Sequence, residues 1–182
     1  SYRYSSTQHY QVYFGDEGVS CDGCMVQKGL RMDISANGNG GKGIMIFIGV
    51  TIQNFIVQNC WNRGTRSRGG GIYCDGSNSY VINTYVIHNN VNGLNNATDT
   101  YGGGMYMIVG TSYNSAFVNN WANGHGGGIF LENAIFYNNT VAHNYKDGMY
   151  QWSNSGGGNN LEMYNCLFYG NQNKAIGSSA VS

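Results

Sequence analysis

Residues that could do chemistry are few in this chain and thinly spread. The 182 residues include six aspartates, at 16, 22, 33, 75, 99 and 147, and Asp16-Glu17 is the one adjacent acidic pair. Cleaving a glycosidic bond needs two carboxyls on opposite sides of it, and no stretch of the chain gathers them. Gly124-His125-Gly126 sets a histidine between glycines, which reads as a turn before a glycine block rather than as a held base. Arg63, Arg66 and Arg68 form the one basic cluster. It could hold a polyanion, but a solvated loop is the simpler reading. Cys21-Asp22-Gly23-Cys24 supplies one C-x-x-C arm, whereas a structural zinc needs a second, and Cys60 and Cys74 stand 14 residues apart. No metal, no cofactor and no catalytic residue is therefore expected.

The remaining reactive groups have structural readings. A local disulfide between Cys21 and Cys24 and an inert pair of thiols are both open, and spacing alone does not decide whether Cys60 reaches Cys74. Five cysteines cannot all pair within one chain. Cys74 and Cys166 alternate with apolar residues of short strands and read as core thiols. Asn96-Ala97-Thr98 and Asn138-Asn139-Thr140 both satisfy the N-glycosylation rule; the first falls in an expected loop and the second overlaps a repeat.

Charge narrows the partners. Lys and Arg total 9 and Asp and Glu total 9, so the net charge is zero and only 10% of residues are charged. Nucleic-acid binding needs a basic patch to displace counterions, and a polybasic membrane surface needs the same. Neither is expected. The longest apolar run, Ile44-Met45-Ile46-Phe47-Ile48-Gly49-Val50, has strand length, far from the roughly 18 apolar residues of a membrane span. No charged-then-apolar leader is legible, as in a mature chain or an excised fragment. With 29 Gly, 26 Asn, no Pro, 41% hydrophobic and 14% aromatic residues, the chain reads as ordered, turn-rich and β-like.

The elements that position these residues repeat. Gly69-Gly70-Gly71-Ile72-Tyr73, Gly102-Gly103-Gly104-Met105-Tyr106 and Gly126-Gly127-Gly128-Ile129-Phe130 share one pattern, and Asp147-Gly148-Met149-Tyr150 is a decayed copy. Between them runs a second block that begins with Asn at 54, 83, 114, 133 and 165. Its third following residue is Val or Phe, and its sixth is Asn in four of five copies, with Cys60 in the first. The last glycines at 71, 104, 128 and 148 lie 33, 24 and 20 residues apart. Each step holds two or more short strands joined by turns of varying length, which describes one rung of a parallel β-solenoid. Asn54, Asn83, Asn114, Asn133 and Asn165 are the expected internal ladder, one corner amide bonding to the next about 4.8 Å away.

The alternation of GGGIY-type blocks with Asn-x-x-Phe-x-x-Asn blocks resembles right-handed parallel β-helix proteins of the pectin-lyase-like superfamily. Within it, the pattern is most similar to repeat-bearing surface proteins of the polymorphic outer-membrane (adhesin/autotransporter) passenger type. Val50-Thr51-Ile52-Gln53-Asn54 leading to Gly69-Gly70-Gly71-Ile72-Tyr73-Cys74 has the cadence of their first repeats. The resemblance covers about residues 44–176. It implies an all-β, right-handed parallel β-helix of about five rungs over 44–182, with 1–43 as an N-terminal cap or an irregular first rung. Enzymes of the superfamily act on acidic polysaccharides, hydrolases with a cluster of aspartates and lyases with Ca²⁺-binding acids beside a basic residue. Asn83-Thr84-Tyr85 carries Tyr where the hydrolases would place an acid.

Period-two alternation then assigns the faces. With Ile72, Met105, Ile129 and Met149 inward, Tyr73, Tyr106, Phe130 and Tyr150 form an outward aromatic file. In the Asn block, Tyr85, Ile135 and Leu167 also point out. Exposed apolar surface of that extent marks a partner contact, unless loops such as 92–101 and 151–160 fold back over it. The expected function is a secreted or cell-surface, non-catalytic structural or adhesive protein. Its expected partners are copies of itself, up to end-to-end stacking in a fibre, or another surface protein. A polysaccharide lyase or hydrolase is the rival, and a carbohydrate-binding module using the aromatic file is the third reading.

Overall fold

A computed structural model describes residues 12–14, 20–23, 25–27, 43–63, 66–93, 99–152 and 161–179, with backbone pairing alone for the strands before residue 28. The fold is all-β, a parallel β-solenoid of about four turns, close to the five rungs expected. Complete coils begin at Ile44, Ile72, Met105 and Ile129, and every strand pair among them is parallel; Met105–Tyr113 keeps one register with Ile129–Tyr137, whereas its pairing with Ile72–Ile82 shifts midway. The strands Val12–Phe14, Ser20–Asp22 and Met25–Gln27 lie on the first of these coils in the same register.

Each coil has the same walls. The first wall stacks Ile44–Ile46 on the openings of the long strands Ile72–Ile82, Met105–Tyr113 and Ile129–Tyr137, and then Met149–Gln151. The second wall stacks Thr51–Gln53 on the closing halves of those long strands and on Leu161–Tyr164. The third stacks Ile56–Gln58, Tyr85–Ile87, Ala116–Val118, Thr140–Ala142 and Leu167–Tyr169. A short fourth wall holds Trp61–Asn62, Asn90–Val91 and Trp121–Ala122.

Inward residues follow the period-two expectation. Ile72, Met105, Ile129 and Met149 are fully buried in one column, and Val57, Val86, Phe117 and Val141 in another. Each such side chain stabilises the fold by about 1.5–3 kcal/mol of apolar transfer. Cys74 belongs to this core, and Cys166 packs against it half-buried. Both are free thiols, and the Cys60 Sγ donates to the Gln58 carbonyl at 3.5 Å rather than bridging to Cys74.

The amide ladder is real but is built by other residues. Asn54, Asn83, Asn114 and Asn165 are exposed, with φ of 57, 47, 48 and 50°. They are the corners themselves, where asparagine tolerates the left-handed backbone. The fourth corner is Asn138, at φ 52°; Asn133 lies within the strand Ile129–Tyr137, opposite Val109. The fourth copy of the block therefore starts five residues later than the sequence spacing implies. The buried carboxamides are those six residues beyond each corner. Asn89, Asn120 and Asn144 donate from Nδ2 to the next Oδ1, at 3.1, 3.2 and 3.0 Å, with Asn171 ending the series. Each Oδ1 also accepts a backbone N–H from the preceding coil, beginning with Cys60 to Asn89 at 2.9 Å. Each Nδ2 donates to a backbone carbonyl as well, as Asn120 does to Val86 at 2.8 Å.

The glycine blocks make room for this ladder. Gly102 takes φ 67°, and a Cβ on Gly104 would stand 2.8 Å from the Asn120 Nδ2 and 2.7 Å from the Gly128 carbonyl. The same contact joins Gly71 to Asn89, Gly128 to Asn144 and Gly148 to Asn171. This explains which glycine the decayed copy keeps. Replacing Asn120 with Ala strands several buried donors and acceptors, each worth about 1–3 kcal/mol when left unpaired. Urea denaturation should show Asn120→Ala losing about 3 kcal/mol or more, while the exposed Tyr85→Ala stays within about 0.5 kcal/mol of the parent.

Candidate functional site

The aromatic file on the outside of the first wall exists, but it is covered. Tyr73, Tyr106 and Phe130 stack at 5.5 and 5.0 Å and are only 2–4% exposed. With Met45 they form a second hydrophobic cluster, packed by Phe47, Tyr101, Ile108 and Tyr150. The cover comes from the coil's own return path. Ser67–Arg68 pairs with Thr100–Tyr101, and Tyr101 bridges to His125, so a strip of backbone runs beside the file. Tyr101 lies 4.7 Å from Phe130, and the Arg68 guanidinium sits 5.0 Å over the Tyr106 ring. The Tyr106 hydroxyl donates to Glu132, and Arg66 pairs with Asp99 at 3.1 Å. Tyr73, Tyr106 and Phe130 are thus not a partner face. Tyr150 remains half-exposed at the end of the file, stacked on Phe130 at 5.5 Å and on His125 at 4.2 Å.

Burial also sets the acidity of these groups. It pushes the Tyr73 phenol up to about 12, with the Asp75 charge adding and Arg68 opposing. Tyr101 rises to about 12 through burial and then its bond to Asp99, and Tyr106 rises further still through burial and Glu132. Burial above all drives the Cys74 thiol up to about 12, with the Asp75 charge adding and a backbone hydrogen bond at Gly76 opposing. No thiolate nucleophile is present at that position near neutral pH.

The open surfaces lie on the other walls. On the third wall Tyr85 is 58% and Leu167 55% exposed, in one column with Ala116 and Thr140. Tyr169 is exposed beside them, and among the described residues no outward position of this wall is charged. Ile135 belongs elsewhere, on the second wall, because of the shifted phase of its repeat.

The second wall carries the concavity. A groove of about 380 Å³ is lined by Ser77, Asn78, Tyr80, Thr111, Asn133 and Glu162, with Val109, Ala134 and Ile135 as its apolar floor. Beside it stands a column the sequence reading did not assemble: Tyr113, Tyr137 and Tyr164, register partners on successive coils. Their rings stack at 5.1 and 5.0 Å, tilted by 7 and 10°, and Tyr80 extends the stack at 6.5 Å. The pKa of the Tyr137 phenol is held above its ordinary value, by desolvation first and then by Glu162 and the neighbouring tyrosines. The signal was present in the chain: Tyr113-Asn114, Tyr137-Asn138 and Tyr164-Asn165 each place tyrosine just before a corner asparagine.

The other candidates separate. His125 Nδ1 stands 3.8 Å from the buried Asp147 carboxylate, which accepts from Asn173 Nδ2 at 3.0 Å. His125 itself makes an isolated parallel bridge to Tyr101, just before the glycine block. Among the described residues no three of His, Cys, Asp and Glu converge as metal ligands. Cys24 and Asn96 lie outside the described residues, and nothing is described of the Cys21 side chain. Asn138 occupies an exposed corner, whereas its neighbour Asn139 is buried and accepts the Ser115 N–H at 2.8 Å.

Tyr73 and Tyr101 retain their protons in the folded state after an unfolded chain has released its own, above about pH 10. Their contribution to stability is complete below about pH 10 and is lost as pH rises toward 12. Phenolate absorbance should show this late-ionising class, and denaturation midpoints should fall across the same window. A stability that stays flat from pH 10 to 12 would contradict the burial of the file. No protein-family model, curated protein or solved structure matches the chain.

Proposed function

We propose that this chain is a non-catalytic adhesive module of a secreted or cell-surface protein, and that its groove takes a neutral glycan. The observation that carries this reading is the tyrosine column beside the groove. Its rings face one another, so they offer the solvent their edges and hydroxyls, repeated at one strand spacing of about 4.8 Å. A polymer with hydroxyls at regular intervals complements such a row. Ser77, Asn78, Thr111 and Asn133 add neutral donors and acceptors, and Tyr80 and Ile135 add apolar surface. That mixture of apolar floor and few polar groups is what small-ligand sites use. Glu162 disfavours a polyanion, which also separates this reading from the acidic polysaccharides that the resemblance implies.

Self-association is the second reading, favoured by one observation. Among the described residues no outward position of the third wall is charged, and Tyr85, Leu167 and Tyr169 are exposed, so another apolar surface could meet it without desolvating an ion. Affinity electrophoresis through gels containing neutral polysaccharides tests the first reading. Retardation by at least one polymer is expected, weakened about tenfold or more by Tyr137→Ala and unchanged by Leu167→Ala. Absence of retardation, or retardation indifferent to Tyr137, would reject it. Sedimentation across a wide concentration range tests the second: Leu167→Ala should shift any oligomer toward monomer.

A further inference from the structure

We propose that Tyr113, Tyr137 and Tyr164 form an oxidative cross-linking site, at which a one-electron oxidant joins neighbouring coils by carbon–carbon bonds between tyrosine rings. The inference stands apart from glycan binding, because it rests on the distance between the rings and on their access to solvent. The three tyrosines are register partners on consecutive parallel strands, so the backbone holds each ring directly above the next. Ring centroids lie 5.1 and 5.0 Å apart and the planes are within 10° of parallel. Tyr164 is 50% exposed and the other two are half-buried, so a diffusing or protein-borne oxidant reaches them and the rings have room to turn.

The chemistry balances with a peroxide as the terminal oxidant, used by a haem peroxidase. Two neighbouring phenols each lose one electron to the oxidant and their hydroxyl proton to water. The two phenoxyl radicals couple between ring carbons ortho to oxygen. Each coupled carbon then releases its hydrogen as a proton while its oxygen is reprotonated, restoring both aromatic rings. One C–C bond forms, two C–H bonds break, and the two electrons with two protons reduce one peroxide O–O bond to two molecules of water.

The molecule supplies its own contrast. Tyr73 and Tyr106 are stacked at 5.5 Å and 3°, a similar arrangement, yet they are 4% and 2% exposed and sit beneath Tyr101 and Arg68. Proximity alone would cross-link both pairs, whereas proximity with access cross-links the outer column. The bond has a structural consequence where the solenoid is loosest. Leu161, Met163 and Phe168 face inward but are only partly buried, unlike their counterparts on earlier coils. A Tyr137–Tyr164 bond would hold this coil to the one before it.

Dilute protein treated with horseradish peroxidase and hydrogen peroxide tests the inference. The monomer band should acquire dityrosine fluorescence and lose the mass of two hydrogens per bond, with the linked peptides carrying Tyr137. Tyr137→Phe, which preserves the ring stack, should abolish the monomer signal, and Tyr106→Phe should leave it intact. The double variant Tyr113→Phe with Tyr164→Phe should abolish it by a second route. Dityrosine confined to covalent dimers, a monomer signal that survives Tyr137→Phe, or linked peptides carrying Tyr73 and Tyr106 would each overturn the assignment. So would a complete absence of dityrosine in the folded protein.

Discussion

The whole structure depends on a carboxamide lying flat against a glycine. Once per coil an asparagine turns inward, bonds to the carboxamide above or below it, and closes on the third residue of a glycine block. Its oxygen and nitrogen satisfy backbone groups that would otherwise be buried without partners. Neither half works without the other. A side chain at Gly104 would displace the amide, and a residue other than asparagine would leave the corner's N–H and C=O groups unpaired. This coupling is why two different blocks repeat in phase while the segments joining them vary in length. Steps of 33, 24 and 20 residues all fit, because the excess leaves the stack as loop. Cys60, opposite Gly43, fills the first slot with a smaller group and accepts its place as an N–H donor to Asn89.

A parallel wall with an apolar outer face needs a second cover, and the first wall obtains it from its own chain. The strip formed by residues 66–68, 99–101 and 125 closes over Tyr73, Tyr106 and Phe130, and charges collect only along its rim. Arg66 meets Asp99, Arg68 meets the Tyr106 ring, and Tyr106 gives its proton to a bond with Glu132. In a chain with so few charges, most of the described arginines and several of the acids are thus spent on sealing one seam. Arg66 and Arg68, two of the three arginines in the basic cluster of the sequence, thus belong to this rim.

Much of this was legible in the residues, and the rest was hidden for identifiable reasons. Inward positions such as Ile72, Cys74, Val86 and Phe117 follow from alternation, because one face of each strand has nowhere to go but the core. The corner role of Asn54, Asn83, Asn114 and Asn165 also follows, though the same residues cannot both turn the chain and point inward. The fourth repeat misled because Asn133 and Asn138 are both followed at the third place by an inward residue, Phe136 or Val141. Local pattern does not choose between them, whereas coil register does. Cover of the aromatic file by the loop 92–101 was an open alternative in the sequence, and local pattern did not choose it because the contact is tertiary: Tyr101 lies 28 residues from Tyr73 and meets the file only when the coils stack. The exposed tyrosine column was legible in the recurring Tyr-Asn dipeptide, which marks the last residue of a strand before a left-handed corner.

The groove follows from a defect in the same regularity. Between the first and second walls the strand Ile72–Ile82 is longer than its neighbour, and pairing with Met105–Tyr113 slips between Met107 and Val109 and again between Val109 and Thr111. The two strands cannot follow one surface through that bend, so the outer face hollows around Ser77, Asn78 and Gly110. Bulges of this kind re-aim side chains without disturbing the ladder on either side. The next pair of strands, Met105–Tyr113 with Ile129–Tyr137, keeps one register throughout, which is why Tyr113 and Tyr137 align beside the hollow. Repetition thus supplies the rigid row, and one lapse in repetition supplies the cavity next to it.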